Sequence, residues 1–146
     1  MADQTHSSIV INAEPARIMG VIADLAAYPE WSDGVHEVEV LTEYDDGRPA
    51  DARFRLESGP IKDTYELVYT WVGDTDVSWT LTEGQMLKAM DGSYHLVDNG
   101  DGATTVEYKL AVDIHIPMIG LIKRRAEKVI VDIALKGLKK RVEEGS

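Results

Sequence analysis

The chain has 146 residues, no cysteine and a formal net charge of −11, a size expected to fold as one domain over residues 1–146 with a sizeable core. The missing thiols exclude disulfides, thiolate nucleophiles and thiolate metal sites, and they suit a reducing, cytoplasmic setting. Residues 1–117 carry 7 Lys+Arg against 22 Asp+Glu while residues 118–146 carry 8 against 4, so the acidic body argues against a nucleic-acid partner.

The N-terminus MADQTHSSIV has neither a basic n-region nor an apolar h-region, and no run of 18 apolar residues occurs; neither secretion nor membrane spanning is expected. Thr5 to Ile11 reads as a first strand, with Asn12 as the N-cap of a short helix whose first turn holds Pro15. Ala16, Ile18, Met19, Ile22 and Ala23 carry that helix to about Asp24, and a second short helix spans Leu25 to Trp31, its end made irregular by Pro29. From Val35 the apolar period changes to two and stays there for about 80 residues. Val38 and Val40 lead to the hairpin signal Asp45-Asp46-Gly47. Phe54 and Leu56 follow, then Tyr65, Leu67, Tyr69 and Trp71, then Val77, Trp79 and Leu81. A weaker strand, about Leu87 to Val97, places Met90, Tyr94 and Leu96 on one face. A last strand carries Val106, Tyr108, Leu110, Val112 and Ile114. One-sided alternation with tight turns marks an antiparallel meander.

Residues 118–144 follow as one uninterrupted helical pattern, about 40 Å long at 1.5 Å per residue. Met118, Ile122, Ala126, Val129 and Ile133 step along one face, while Val131, Leu135, Leu138 and Val142 form a second line. An apolar arc of about 260° is more than a flat sheet requires, so contact from two sides is expected. Gly137 inside this run points to close approach of another backbone. The basic side of this helix is expected to be a solvated face, with weak contact to an anionic membrane surface as the lesser alternative. The order of elements gives an α+β chain: a seven-stranded antiparallel sheet wrapped around a long C-terminal helix, with two short helices between strands 1 and 2.

The opening strand with Asn12-Ala13-Glu14-Pro15, the segment Asp24-Leu25 to Tyr28-Pro29-Glu30-Trp31, the Gly102 turn into Thr105-Val106, and Pro117 before the last helix together resemble the START-like (Bet v 1-like, helix-grip) superfamily, especially its bacterial polyketide cyclase/dehydrase and lipid transport branch. The resemblance covers nearly the whole chain. It implies a deep, mainly apolar cavity between sheet and long helix, used in the family for lipids, sterols, aromatic polyketides or isoprenoid quinones. It implies no single reaction, since members range from carriers to cyclases.

With the sheet's apolar face inward, the expected ligand-binding set is Trp31, Phe54, Leu56, Tyr65, Leu67, Tyr69, Trp71, Trp79, Leu81, Tyr94, Tyr108 and Leu110, facing Ile122, Ala126, Val129, Ile130 and Ile133 of the helix. Buried Tyr and Trp need partners for their O–H and N–H groups, which a ligand-filled or wet cavity supplies more easily than a dry core; an ordinary aromatic core is the alternative. Ser58-Gly59-Pro60-Ile61 and Glu83-Gly84-Gln85-Met86 are the loops expected at the opening.

His6, His36, His95 and His115 are far apart in sequence with no ligand spacing, so no metal and no cofactor is expected. His36 could reach the cavity mouth, although a rim histidine without a role is the plainer expectation. No catalytic residue is assigned, because strand carboxylates fall on the outward parity and cannot reach a buried substrate. The family resemblance implies a pocket arginine in cyclases, and here Arg53 and Arg55 have the outward parity. The expected function is binding or carriage of a hydrophobic small molecule (lipid, isoprenoid or polyketide-like aromatic). A polyketide aromatase/cyclase and a protein-interaction module with a vestigial cavity are the alternatives.

Overall fold

The strand-like alternation becomes seven strands: β1 (Asp3–Ile11), β2 (Val35–Glu43), β3 (Pro49–Ser58), β4 (Ile61–Val72), β5 (Asp76–Glu83), β6 (Leu87–Asp98) and β7 (Thr104–Ile114). They are seen in a computed structural model that describes residues 3–32, 34–58, 61–114, 128 and 130–144. The sheet order is β1-β7-β6-β5-β4-β3-β2, every neighbour antiparallel. Consecutive strands pair throughout, with one exception. β1 and β2 lie at opposite edges, and the segment between them crosses the sheet as α1 (Pro15–Ala23), a 3-10 turn (Leu25–Ala27) and α2 (Tyr28–Trp31). Gly47, with φ +88°, provides the left-handed residue that closes the β2–β3 hairpin.

Asn12 is not the cap that its residue type suggests. The N-cap of α1 is Glu14, with Pro15 in the first turn. The chain needs two further residues to leave the sheet edge: Ala13 N–H donates to the Ile11 carbonyl at 2.9 Å, and the buried Thr104 hydroxyl donates to the Ala13 carbonyl at 2.7 Å. The Asn12 N–H donates instead to the Glu143 carboxylate at 2.9 Å, tying this corner to the C-terminal helix.

That helix differs from the uninterrupted rod that its periodicity suggests. Residues 118–127 and 129, with Ile122, Ala126 and Val129, lie outside the described residues. Residues 130–132 are helical, Ile133–Gly137 winds as a π-helical segment, and α3 (Leu138–Glu144) completes the element. The line Val131, Leu135, Leu138 and Val142 is buried, and the segment and α3 pack against α1, β1 and β7. Arg17 donates to the Val142 carbonyl and Lys139 to the Val10 carbonyl, each at 2.8 Å, so hydrogen bonds fix the same contact. Among the described residues no helix is long and apolar enough to cross a membrane.

Sheet register places the aromatic residues opposite one another: Phe54 with Tyr65, Tyr69 with Trp79, and Tyr94 with Tyr108. Their ring centroids are 5.5, 5.9 and 4.9 Å apart. Trp79 links the two halves of this belt, 5.6 Å from Tyr94 and 5.9 Å from Tyr108. It can do so because its cross-strand partner is Gly92. A Cβ at Gly92 would stand 2.4 Å from the indole.

Gly92→Ala is therefore expected to push Trp79 off the sheet and to lower stability by about 1–3 kcal/mol, the usual cost of overpacking. Chemical denaturation followed by tryptophan emission measures both effects. Unchanged emission together with unchanged stability would mean that the indole does not lie on Gly92.

Candidate functional site

Two short helical segments approach the edge of the belt. In α2, Tyr28 and Trp31 are three residues apart on one face, their rings 4.8 Å apart, and Tyr28 reaches the sheet through Phe54 at 6.3 Å. The Tyr28 hydroxyl donates to the Ile22 carbonyl at 2.6 Å, so α1 positions α2. From the other side, the π-helical segment turns Ile133 and Ala134 toward the belt, and the Tyr94 hydroxyl donates to the Ala134 carbonyl at 2.8 Å. A π-helical turn departs from the regular α-helical hydrogen-bond ladder. Tyr94 thus ties β6 to the helix at the point where its winding changes.

Between these elements lies an apolar cavity of about 100 Å³ lined by Tyr28, Trp31, Ser32, Val35, Phe54, Leu56, Tyr65, Leu67, Tyr69, Trp79, Met90, Tyr94, Tyr108, Ile130, Ile133 and Ala134. The volume approaches that of engineered apolar cavities of about 150 Å³ that take up benzene. None of these lining residues is charged.

Of the residues expected from sequence, Trp31, Phe54, Leu56, Tyr65, Leu67, Tyr69, Trp79, Tyr94, Tyr108, Ile130 and Ile133 stand in this wall. Trp71, Leu81 and Leu110 do not. Trp71 lies near the end of β4, where its indole N–H donates to the Pro49 carbonyl at 2.7 Å and Arg48 sits over its ring at 5.4 Å. Leu81 packs against the core near the end of β5. Leu110 is 0% exposed and faces Gly92 across the β6–β7 ladder, within the packed core. Ile122, Ala126 and Val129 lie outside the described residues. The structure adds Tyr28, Ser32, Val35, Met90 and Ala134. Met90 was legible from its parity with Tyr94, whereas Tyr28 and Ser32 belong to turns with no period to read.

Neither expected entrance loop contributes a described lining residue. Gly59 and Pro60 lie outside the described residues. The turn after Glu83 is held by Asp63, a buried carboxylate that accepts from the backbone N–H groups of Gln85, Met86 and Leu87 at 3.1, 3.0 and 2.8 Å. His36 is exposed and lies 3.3 Å from Glu57. Arg53 and Arg55 point outward to Glu39, Glu66 and Glu37. Among the described residues no group of His, Asp or Glu is arranged to hold a metal ion.

The polar content of the cavity is mainly phenolic, with the Ser32 hydroxyl and the Trp31 indole N–H beside the phenols. Burial, reinforced by repulsion between neighbouring phenolates, raises the pKa values of Tyr28, Tyr69 and Tyr94 well above the ordinary tyrosine value. Burial also raises Tyr65, with a contribution from Asp63, and Tyr108, with one from Tyr65. These side chains are neutral at physiological pH and serve as hydrogen-bond donors and acceptors, not as bases. The hydroxyls of Tyr65, Tyr69 and Tyr108 donate to no group among the described residues, unlike those of Tyr28 and Tyr94. Among the described residues, these are the phenols that an oxygen atom inside the cavity can meet without displacing a bond to the protein.

The family model described as polyketide cyclase / dehydrase and lipid transport matches residues 3–143. Among solved structures, a START superfamily protein from Mycobacterium smegmatis superposes with a TM-score of 0.89 at 20% identity, covering 98% of this chain and 99% of that one. The Zhui aromatase/cyclase from Streptomyces sp. R1128 does so with a TM-score of 0.84 at 11% identity, covering 98% and 94%. TTHA0849 from Thermus thermophilus gives 0.82 at 22% identity, covering 99% of each chain. At these identities the likeness establishes the helix-grip fold. No curated protein matches the sequence.

Tyrosines of an unfolded chain ionise near pH 10, and the buried five ionise only at higher pH. Their burial in neutral form stabilises the fold fully below about pH 10. That stability is lost as pH rises further, because the unfolded chain then releases protons that the folded one retains. Each such group contributes a slope of up to about 1.4 kcal/mol per pH unit. Absorbance at 295 nm is accordingly expected to show these phenols ionising in one cooperative step together with loss of the circular dichroism signal. Independent ionisation near pH 10 in a still-folded protein would show that the cluster is open to water.

Proposed function

Because this chain belongs to the polyketide cyclase / dehydrase and lipid transport family, we propose that it binds a hydrophobic small molecule in the aromatic cavity, and that the part held inside is a ring bearing a carbonyl or hydroxyl oxygen. The observation that carries this reading is the character of the wall: mostly rings and aliphatic chains, no charged side chain among the described lining residues, and polarity supplied by neutral groups, chiefly phenols, with the Ser32 hydroxyl and the Trp31 indole N–H. An empty apolar space of this size costs on the order of 2 kcal/mol at about 24 cal/mol per Å³, and a ring that fills it removes that cost. Burial supplies most of the affinity at roughly 25 cal/mol per Å². A phenol hydrogen bond adds about 1 kcal/mol and orients the guest.

Carriage or sensing follows from this chemistry more directly than turnover does. A raised pKa makes a phenol a poorer acid and removes it as a base at neutral pH. The aromatase/cyclase alternative rests on the same phenols acting as donors that polarise a ketone. It requires positioning to supply nearly all of the rate.

Two small probes separate shape from polarity. Saturating 2-naphthol and naphthalene are both expected to raise the melting temperature and change tryptophan emission. Tyr108→Phe should weaken 2-naphthol by about fivefold while leaving naphthalene within twofold. Ala134→Phe, which fills the cavity, should abolish binding of both with the circular dichroism spectrum retained. If neither compound changes melting temperature or emission in the wild-type protein, the cavity is not a binding site for rings.

A further inference from the structure

The cavity shares a wall with the surface. Outside it, Glu30 and Trp31 of α2 face Asp132, Lys136, Lys140, Arg141 and Glu144 across a groove of about 580 Å³. Trp31 and Ile133 line both the groove and the cavity. The partition is therefore little more than one indole and one branched side chain. The inner space alone is smaller than the roughly 300–1,000 Å³ of ligand pockets; joined to the groove it falls within that range.

Three features distinguish this partition from ordinary packing. The Trp31 Nε1 is buried with no hydrogen-bond partner among the described residues, although a buried indole N–H usually has one. Opposite it, the helix is π-helical over Ile133–Gly137, and glycine at 137 admits the Trp31 backbone: a Cβ there would lie 3.2 Å from the Trp31 carbonyl oxygen and 3.4 Å from its ring. The ion pair that spans the groove joins Arg141 Nη1 to Glu30 Oε1 at 3.2 Å, with the Glu30 side chain 64% exposed. A pair so open to solvent is a weak latch. Lys136 is 3.8 Å from Asp132, and Lys140 has no ion-pair partner among the described residues.

We propose that a guest enters between α2 and the π-helical segment, that Trp31 is the door, and that the guest is an amphiphile whose anionic head takes the place of the Glu30 carboxylate on Arg141. This rests on the reading of the cavity as a ring-binding site and specifies the rest of the molecule. The Glu30 carboxylate already shows how an anion sits on Arg141, and Lys140 stands beside it as a second cation. One carboxylate leaves the guanidinium as the other anion arrives, so the charge at Arg141 is conserved. The Glu30 side of α2 is then unlatched while the Tyr28 bond to the Ile22 carbonyl holds its start, and Trp31 can move out of the partition.

The test uses 1-anilinonaphthalene-8-sulfonate as the anionic probe and N-phenyl-1-naphthylamine as its neutral counterpart, with uptake followed by stopped-flow fluorescence. Since the chain has no cysteine, Glu30→Cys combined with Arg141→Cys can be bridged by a bismaleimide. Bridging is expected to slow uptake of the neutral probe at least tenfold relative to the same double variant left unbridged. In a separate variant, Arg141→Gln should lower the preference for the sulfonate over the neutral probe about tenfold. Equal uptake rates with and without the bridge would overturn the door, and an unchanged preference would overturn the head-group site. Failure of both probes to enter the unmodified protein, by contrast, would overturn the ring-binding reading itself.

Discussion

From residue 130 onward the C-terminal helix turns its most continuous apolar line toward α1 and β1, which seats this part of the helix over the β1 edge of the sheet. Val131, Leu135, Leu138 and Val142 are buried in that contact, and Arg17, Lys139 and the Asn12–Glu143 bond hold it in place. Among the described residues, Ile130, Ile133 and Ala134 are those that line the cavity from the helix side, opposite the central strands. The cavity lies between this seated part of the helix, α2 and the aromatic belt of the sheet.

Aromatic residues suit such a gap for a physical reason. A ring is large and rigid, and it gains from neighbouring rings at offset or tilted geometry. A belt from Phe54 through Tyr69 and Trp79 to Tyr108 can therefore support itself from the sheet side without a full complement of contacts above it. The phenol groups then set the chemistry of the opening. Held neutral by burial, they offer hydrogen bonds at no cost in buried charge, which separates this wall from one built around an arginine. The chain's arginines on β3 lie outside the sheet among glutamates.

Much of this was legible in the sequence, because the period of two over residues 35–114 assigns each side chain to a face of the sheet. Parity does not say how far along a strand the helix reaches. Trp71, Leu81 and Leu110 share the inward parity of the lining residues yet fall where another strand end, a core contact or the fully packed β6–β7 ladder takes them. Tyr28 and Ser32 were missed for the opposite reason, since they sit in turns whose positions depend on tertiary contacts such as the Tyr28 bond to the Ile22 carbonyl. Gly137 signalled a close neighbour, and the structure identifies that neighbour as Trp31. The π-helical segment left no trace in the apolar spacing, because Val131, Leu135, Leu138 and Val142 keep steps of four and three across it. Asp63 shares the inward parity of Tyr65, and its burial is explained by three backbone N–H groups that adjacent sequence does not announce.

The central claim is that the space between helix and belt admits a guest ring. Isotope-filtered NMR of the protein with bound 2-naphthol tests it most directly. Intermolecular nuclear Overhauser effects from the ring protons to Tyr69, Tyr108 and Ile130 are the expected result. Contacts confined to surface residues, with these three silent, would contradict it.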